Sequence, residues 1–164
     1  MTFSQSISTC FNKYATFSGR ASRSGLSIRT FVFSLLAVCA TVFSGCSPSA
    51  KIEYAVTEAS KQCPIAVDET MTVTDIKTED NNVVYICNVD ENAAGFSVED
   101  FAQPAVSQTM KNAMVEYLRG AKTTDKDTES LIRLCKDADY NIVYRFVGLD
   151  SNYSMDITIF PYEM

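Results

Sequence analysis

Apolar residues recur in two rhythms along the chain. Ile52, Ala55, Val56 and Ala59 fall at steps of three and four, which places them on one face of a helix. Pro64 disfavours helical geometry in the residue before it, so this helix should stop at Cys63 or earlier. Residues 70–77 (TMTVTDIK) then alternate and are rich in β-branched side chains. A turn-forming run, Glu79-Asp80-Asn81-Asn82, separates them from an almost continuously apolar stretch at 83–89 (VVYICNV). Helix followed by β-hairpin is the reading.

The helical rhythm returns after Ser97, an N-cap candidate with Glu99 and Asp100 in the first turn. Val98, Phe101, Ala102, Ala105, Val106, Met110, Ala113, Met114, Tyr117 and Leu118 follow the three-four pattern. Pro104 falls where a helix would restart, because proline is favoured at a first helical position. Gly120 is the expected stop. Thr124 or Asp125 should cap a further helix carrying Leu131, Leu134, Cys135 and Ala138. Two alternating stretches close the sequence. Residues 140–148 place Ile142, Tyr144 and Phe146 on one face. Residues 153–160 place Tyr153, Met155, Ile157 and Ile159 on one face and Ser154, Asp156 and Thr158 on the other.

The expected fold is therefore α+β, with order α-β-β-α-α-β-β. The simplest packing is a four-stranded antiparallel sheet with helices on one face and solvent on the other. The tetrapeptides NVVY (82–85) and NIVY (141–144) match, but they fall on different strands of their hairpins, so no repeat follows.

The N-terminal third is of another kind. Lys13, Arg20, Arg23 and Arg29 occur there without a single acid, and residues 31–43 (FVFSLLAVCATVF) carry no charge. A spanning helix needs about 20 apolar residues, so this run has the length of a signal-peptide core. Ser44 and Gly45 supply the small residues a signal peptidase requires. Phe43-Ser44-Gly45-Cys46 resembles the lipobox of bacterial lipoproteins. That resemblance implies cleavage before Cys46, a diacylglyceryl group on its thiol and attachment to a membrane. Acyl chains stabilise membrane binding by about 0.8 kcal/mol per buried CH₂, and two or more hold durably. The basic segment before the apolar run is long, at 1–30. That length suggests translation starting downstream, near Leu26 or Ile28, with a non-native extension ahead of it. Residues 1–45 are thus the expected signal, 46–50 (CSPSA) a tether, and 51–164 one domain.

All 20 acids lie beyond residue 45, with 10 of the 14 bases, giving the mature part a formal charge of −10. Nucleic acid is therefore not an expected partner. An anionic lipid surface would be repelled too, which leaves the lipid on Cys46 as the membrane contact. A protein or glycan partner is left unidentified. There is no histidine, which removes the usual general base, the Ser-His and Cys-His pairs and the commonest zinc ligand. No cofactor or metal is expected and no enzyme is indicated; the alternative is an envelope enzyme using carboxylates and tyrosines.

Three cysteines remain in the domain. Cys63 and Cys135 could face one another from two helix ends and form a disulfide, or both could be buried free thiols. Cys87 sits mid-strand and reads as a packing residue. The stretch 90–101 (DENAAGFSVEDF) has a glycine at the sixth place of a calcium-loop pattern. It has Ala94 at the fifth place and Phe101 at the twelfth, where the pattern needs a bidentate acid. Residues 125–130 (DKDTES) read as a helix start. Tyr85, Tyr140, Tyr144, Tyr153 and Tyr162 would form a binding face if exposed and sheet packing if buried.

Residues 59–89 (ASKQCPIAVDETMTVTDIKTEDNNVVYICNV) resemble a group of small bacterial envelope proteins and lipoproteins of unknown function. They share the Gln-Cys-Pro start, Val-Asp-x-x-Thr and a strand ending in apolar-Tyr, with a helix cysteine downstream as at Cys135. The resemblance implies an envelope location and no assigned activity; of the two membranes the outer is expected ahead of the inner.

Overall fold

The computed structural model describes residues 47–164 other than Asp125, with backbone alone over 121–128. The expected signal at 1–45 and Cys46 lie outside the described residues. The first helix, α1 (Pro48–Ser60), starts inside the stretch expected as a tether. The Ser47 side chain accepts from the Ala50 N–H at 3.3 Å, and Pro48 occupies the first turn. Together they start a helix whose buried face is Ile52, Ala55, Val56 and Ala59, the four residues the spacing selects.

Strand β1 (Ile65–Ala66) follows a cis Cys63-Pro64 peptide. The loop after it is organised by Asp68, whose Oδ1 accepts from Thr70 N, Thr70 Oγ1 and Met71 N at 2.7–2.9 Å. β2 (Met71–Glu79) and β3 (Asn82–Val89) make the expected hairpin. Asp80 takes a positive φ of 51° at its turn, a conformation Asp and Asn tolerate better than most residues. Two single-turn helices follow, α2 (Glu91–Ala94) and α3 (Val98–Phe101). Ser97 caps α3 in a capping box with Asp100.

α4 (Pro104–Thr124) restarts at Pro104 as expected but runs through Gly120. A glycine inside a helix costs only about 1 kcal/mol, and Gly120 adopts no left-handed turn that would end one. α5 (Lys126–Ala138) ends instead at a non-glycine, Asp139, with φ 55°. The Tyr140 N–H reaches back to the Cys135 carbonyl at 2.9 Å. Leu131, Ile132 and Cys135 form its buried stripe, with Leu134 and Ala138 at the margin. β4 (Asn141–Gly148), β5 (Ser154–Ile159) and a 3₁₀ turn (Pro161–Glu163) complete the chain.

The sheet corrects the expected topology. It has five strands in the order β1-β2-β3-β4-β5, and its central pair, β3 and β4, is parallel. Four antiparallel strands follow only if the two hairpins meet end to start. The helical crossover α2–α5 instead returns the chain to the edge where β3 began, and such a connection delivers a parallel strand. The element order corrects as well, because β1, α2 and α3 are additional. NVVY and NIVY lie side by side, with Asn82 paired to Asn141, Val83 to Ile142, Val84 to Val143 and Tyr85 to Tyr144. Central parallel strands tend to be apolar on both faces. Val84 and Val143 are 1% and 5% exposed although they point away from the helices. The main core lies on the helical side. There Val83, Tyr85, Cys87, Ile142, Phe146, Ile157 and Ile159 meet Ile52, Val56, Leu118, Leu131 and Ile132.

Candidate functional site

On the face opposite the helices, four charges form a strap across the sheet. Arg145 of β4 stands in register with Asp156 of β5. Its Nε and Nη2 donate to the two Asp156 oxygens at 2.9 Å each, a bidentate pair. Its Nη1 donates to Glu79 of β2 at 3.2 Å, and Lys77 Nζ meets Glu79 at 2.6 Å. The row Lys77–Val84–Val143–Thr158 lies between Arg145 and Glu79 in the strand register. The guanidinium must therefore cross above Val84 and Val143, which accounts for their burial on a face without helices. The bonds from Lys77 and Arg145 hold Glu79 below the ordinary carboxylate range, and those from Asp156 and Glu79 raise Arg145 further. The strap is electrically neutral, two cations against two anions, on a strongly acidic domain.

A second cluster ties loops together. Glu91, 8% exposed, accepts through Oε1 from Val98 N (2.7 Å), Ser97 Oγ (2.9 Å) and Ser151 Oγ (2.9 Å). Through Oε2 it accepts from Ser151 N (2.7 Å) and Asp150 N (3.2 Å). The Val98 N–H leads the donors that push its carboxyl down to about 2. A carboxylate held by five donors is a clasp, not a base. It joins the start of α3 to the β4–β5 turn, and Gly148 is shaped to it: a Cβ there would sit 2.5 Å from Glu91 Oε1.

The structure separates the remaining candidates. Cys63, Cys87 and Cys135 are three unbridged thiols, Cys63 half-buried and the others buried. Burial pushes Cys87 and Cys135 up to about 12, so neither is a nucleophile at neutral pH. The calcium-like stretch is consumed by caps: Asp90 accepts from Ala93 N at 2.9 Å, while Glu91 and Asp100 serve the α3 start. No group of three or more metal-ligating side chains occurs among the described residues. The tyrosines divide. Tyr85 and Tyr140 are buried and Tyr144 half-buried, whereas Tyr153 and Tyr162 are exposed and far apart in their roles. A depression of about 220 Å³ on α5 is lined by Glu129, Ile132, Arg133, Lys136 and Asp137, two acids beside two bases. No described helix is long and apolar enough to cross a membrane. Arg145 and Glu91 carry no signal in their local spacing, because their partners lie 11 to 66 residues away and 6 to 60 residues away.

No family model and no curated protein matches the chain. Among solved structures, a candidate secreted protein of Pseudomonas aeruginosa superposes with a TM-score of 0.52 at 14% identity. The match covers 73% of this chain and 98% of that one. It shows a shared α+β fold. Two type II secretion pilotins are also similar. EpsS of Vibrio vulnificus has a TM-score of 0.47 at 14% identity, covering 68% of this chain and 86% of its own. AspS of Vibrio cholerae has a TM-score of 0.45 at 11% identity, covering 68% and 87%.

Proposed function

We propose that the protein is a lipid-anchored envelope lipoprotein that presents a small acidic binding or support domain at a bacterial membrane, without catalysis of its own. The observation that carries this is the junction at Cys46. Bases without acids, a 13-residue uncharged run and small residues lead up to it, and a capped helix begins at Pro48. With one residue, Ser47, between the anchoring cysteine and the helix, the domain would sit close against the headgroups instead of swinging on a linker. The outer membrane is favoured ahead of the inner.

The carboxylates support binding over chemistry. Those that converge are already paired, Glu79 and Asp156 on Arg145 and Glu91 on five donors. A charge of −10 makes a protein or glycan a better partner than nucleic acid.

The test is metabolic labelling with palmitate of the full-length protein and of Cys46→Ala. The parent should take up label and fractionate with membranes. Equal labelling of the variant would defeat the lipoprotein reading.

A further inference from the structure

The direction of α1 fixes which end of the domain lies beside Cys46. Ser60, the last residue of α1, donates its hydroxyl to Asp75 Oδ1 in the middle of β2 at 2.7 Å. Glu53, near the start of α1, lies close to Tyr140, whose hydroxyl is raised first by burial and then by the Glu53 charge. Tyr140 immediately precedes β4, and Asn141 donates its N–H to the Asn81 carbonyl in the β2–β3 turn at 2.8 Å. α1 therefore runs alongside β2 with its N-terminus toward that turn. From Ser60 back to Pro48 the helix covers about 18 Å, whereas Asp75 to Glu79 spans only about 13 Å of strand. The N-terminus of α1 thus stands level with the β2–β3 turn or just past it.

Residues 160–164 come to the same end. Ile159 pairs with Ile142 near the start of β4, and Lys136 in the last turn of α5 donates to the Met164 oxygen at 2.9 Å. Met164 is buried, but Tyr162 is 79% exposed, the most exposed large apolar side chain among the described residues. Its ring is braced. It stacks on Phe160 with 5.5 Å between centroids and 4° between planes, and Lys111 Nζ stands 4.9 Å from the centre of the Phe160 ring. An apolar ring ending in a hydroxyl suits the headgroup layer of a bilayer, where tyrosine is enriched.

Cys46 is two residues ahead of Pro48, a reach of at most about 7 Å. A lipid on that cysteine brings the bilayer to the N-terminus of α1, and so to the end that carries Tyr162. We propose that the domain rests on the membrane through this end, the β2–β3 turn and residues 160–162, with Tyr162 seated among zwitterionic headgroups as a second, non-covalent contact. The proposal rests on the reading of Cys46 as the lipid site. Zwitterionic lipid is the partner because the formal charge of −10 opposes an anionic surface. Tyr153, beyond the far end of β4, is then held away from the bilayer by the length of that strand, about 23 Å.

The chain has no tryptophan, so a single introduced one reports its own surroundings. Full-length protein processed in cells and carrying Tyr162→Trp or Tyr153→Trp is placed on phosphatidylcholine vesicles with or without bromine on the acyl chains. Tyr162→Trp should shift its emission to the blue and lose about half of it to the brominated lipid, while Tyr153→Trp should be unchanged. Should Tyr162→Trp not unfold cooperatively in urea, Asn81→Trp in the β2–β3 turn takes its place, with quenching again expected. Palmitate uptake and flotation with the vesicles are measured on the same samples. Labelled, floating protein in which Tyr153→Trp is quenched as strongly as the probe at the other end overturns the orientation, and so does labelled, floating protein in which neither is quenched. Protein that takes up no palmitate and does not float defeats the anchor and the orientation with it, so the two failures are told apart.

Discussion

Tyr85 and Tyr144 lie opposite one another on the two central parallel strands, their rings stacked at 5.2 Å between centroids and tilted by only 19°. The stack faces the helices, and burial raises both hydroxyls well above the ordinary tyrosine value. Aromatic pairs of this kind couple by about 0.5–1.5 kcal/mol beyond the area they bury. A double-mutant cycle with Tyr85→Leu and Tyr144→Leu, read by urea unfolding, should return a coupling in that range. A coupling near zero would mean that the two strands are not in this register.

The outer strand β5 separates core from strap. Ile157 is 3% exposed, whereas the Asp156 side chain is 41% exposed and paired with Arg145. Ile157→Ala should cost about 2–5 kcal/mol through lost burial and a residual cavity. Asp156→Ala removes an exposed pair, worth about 1 kcal/mol or less, and its effect should shrink in high salt. The urea midpoint should therefore fall much further for Ile157→Ala. The reverse ranking would place Asp156 inside the fold.

The Glu91 clasp gives the stability a characteristic acid limb. Its carboxyl titrates near 2 when folded and near the ordinary 4.5 when unfolded. Its contribution is therefore complete above about pH 4.5 and disappears as the pH falls toward 2. Melting temperatures of the parent and Glu91→Gln should differ most at neutral pH and converge by pH 2. Gly148→Ala, which drives a methyl into the same carboxylate, should destabilise at neutral pH and show less difference in acid. Parallel pH profiles for parent and Glu91→Gln would rule the clasp out as their source.

Thiol chemistry distinguishes the three cysteines. Denatured, unreduced domain should yield three alkylatable thiols, and a single one would mean that two of them have bridged, with Cys63 and Cys135 the expected pair. In the native domain, Cys63 should react first, since it alone is more than marginally exposed. Burial and the nearby Asp75 raise its thiol, so even this reaction should be slow at pH 7. Equal rates at Cys63, Cys87 and Cys135 would show that the core opens as a whole before any thiol reacts.

Local pattern carried most of the secondary structure. Helical spacing identifies the α1 face residue by residue, and Ser97 and Pro104 mark real helix starts. The alternation in β5 assigns Asp156 and Ile157 to their correct faces. What local pattern does not encode is which strands meet. The clue to the parallel pair was the NVVY/NIVY match together with apolar residues at both parities, Val83 with Val84 and Ile142 with Val143. A strand buried on one face needs only one parity, so the doubled pattern marks the centre of the sheet. The strap and the clasp were illegible for a different reason. Arg145, Glu79 and Glu91 sit among ordinary surface charges in sequence, and only the fold brings their partners within hydrogen-bonding distance. The early stop expected at Gly120 failed because propensity is a weak term beside the packing of a 21-residue helix.

The parallel joint has a kinetic meaning as well. Asn82 and Asn141, which bond side chain to side chain at 2.8 Å, are 59 residues apart. Each flanking hairpin can zip by local contacts within microseconds. Joining them requires the intervening chain to be ordered first, and non-local closures of this kind slow folding. If the proposed signal carries the chain across a membrane in extended form, α1 and the first hairpin would emerge well before the residues that complete the sheet. During that interval the inner edge of β3, with the adjacent Val83 and Val84, stands unpaired. That edge is the part of the newborn chain most in need of protection from neighbouring strands.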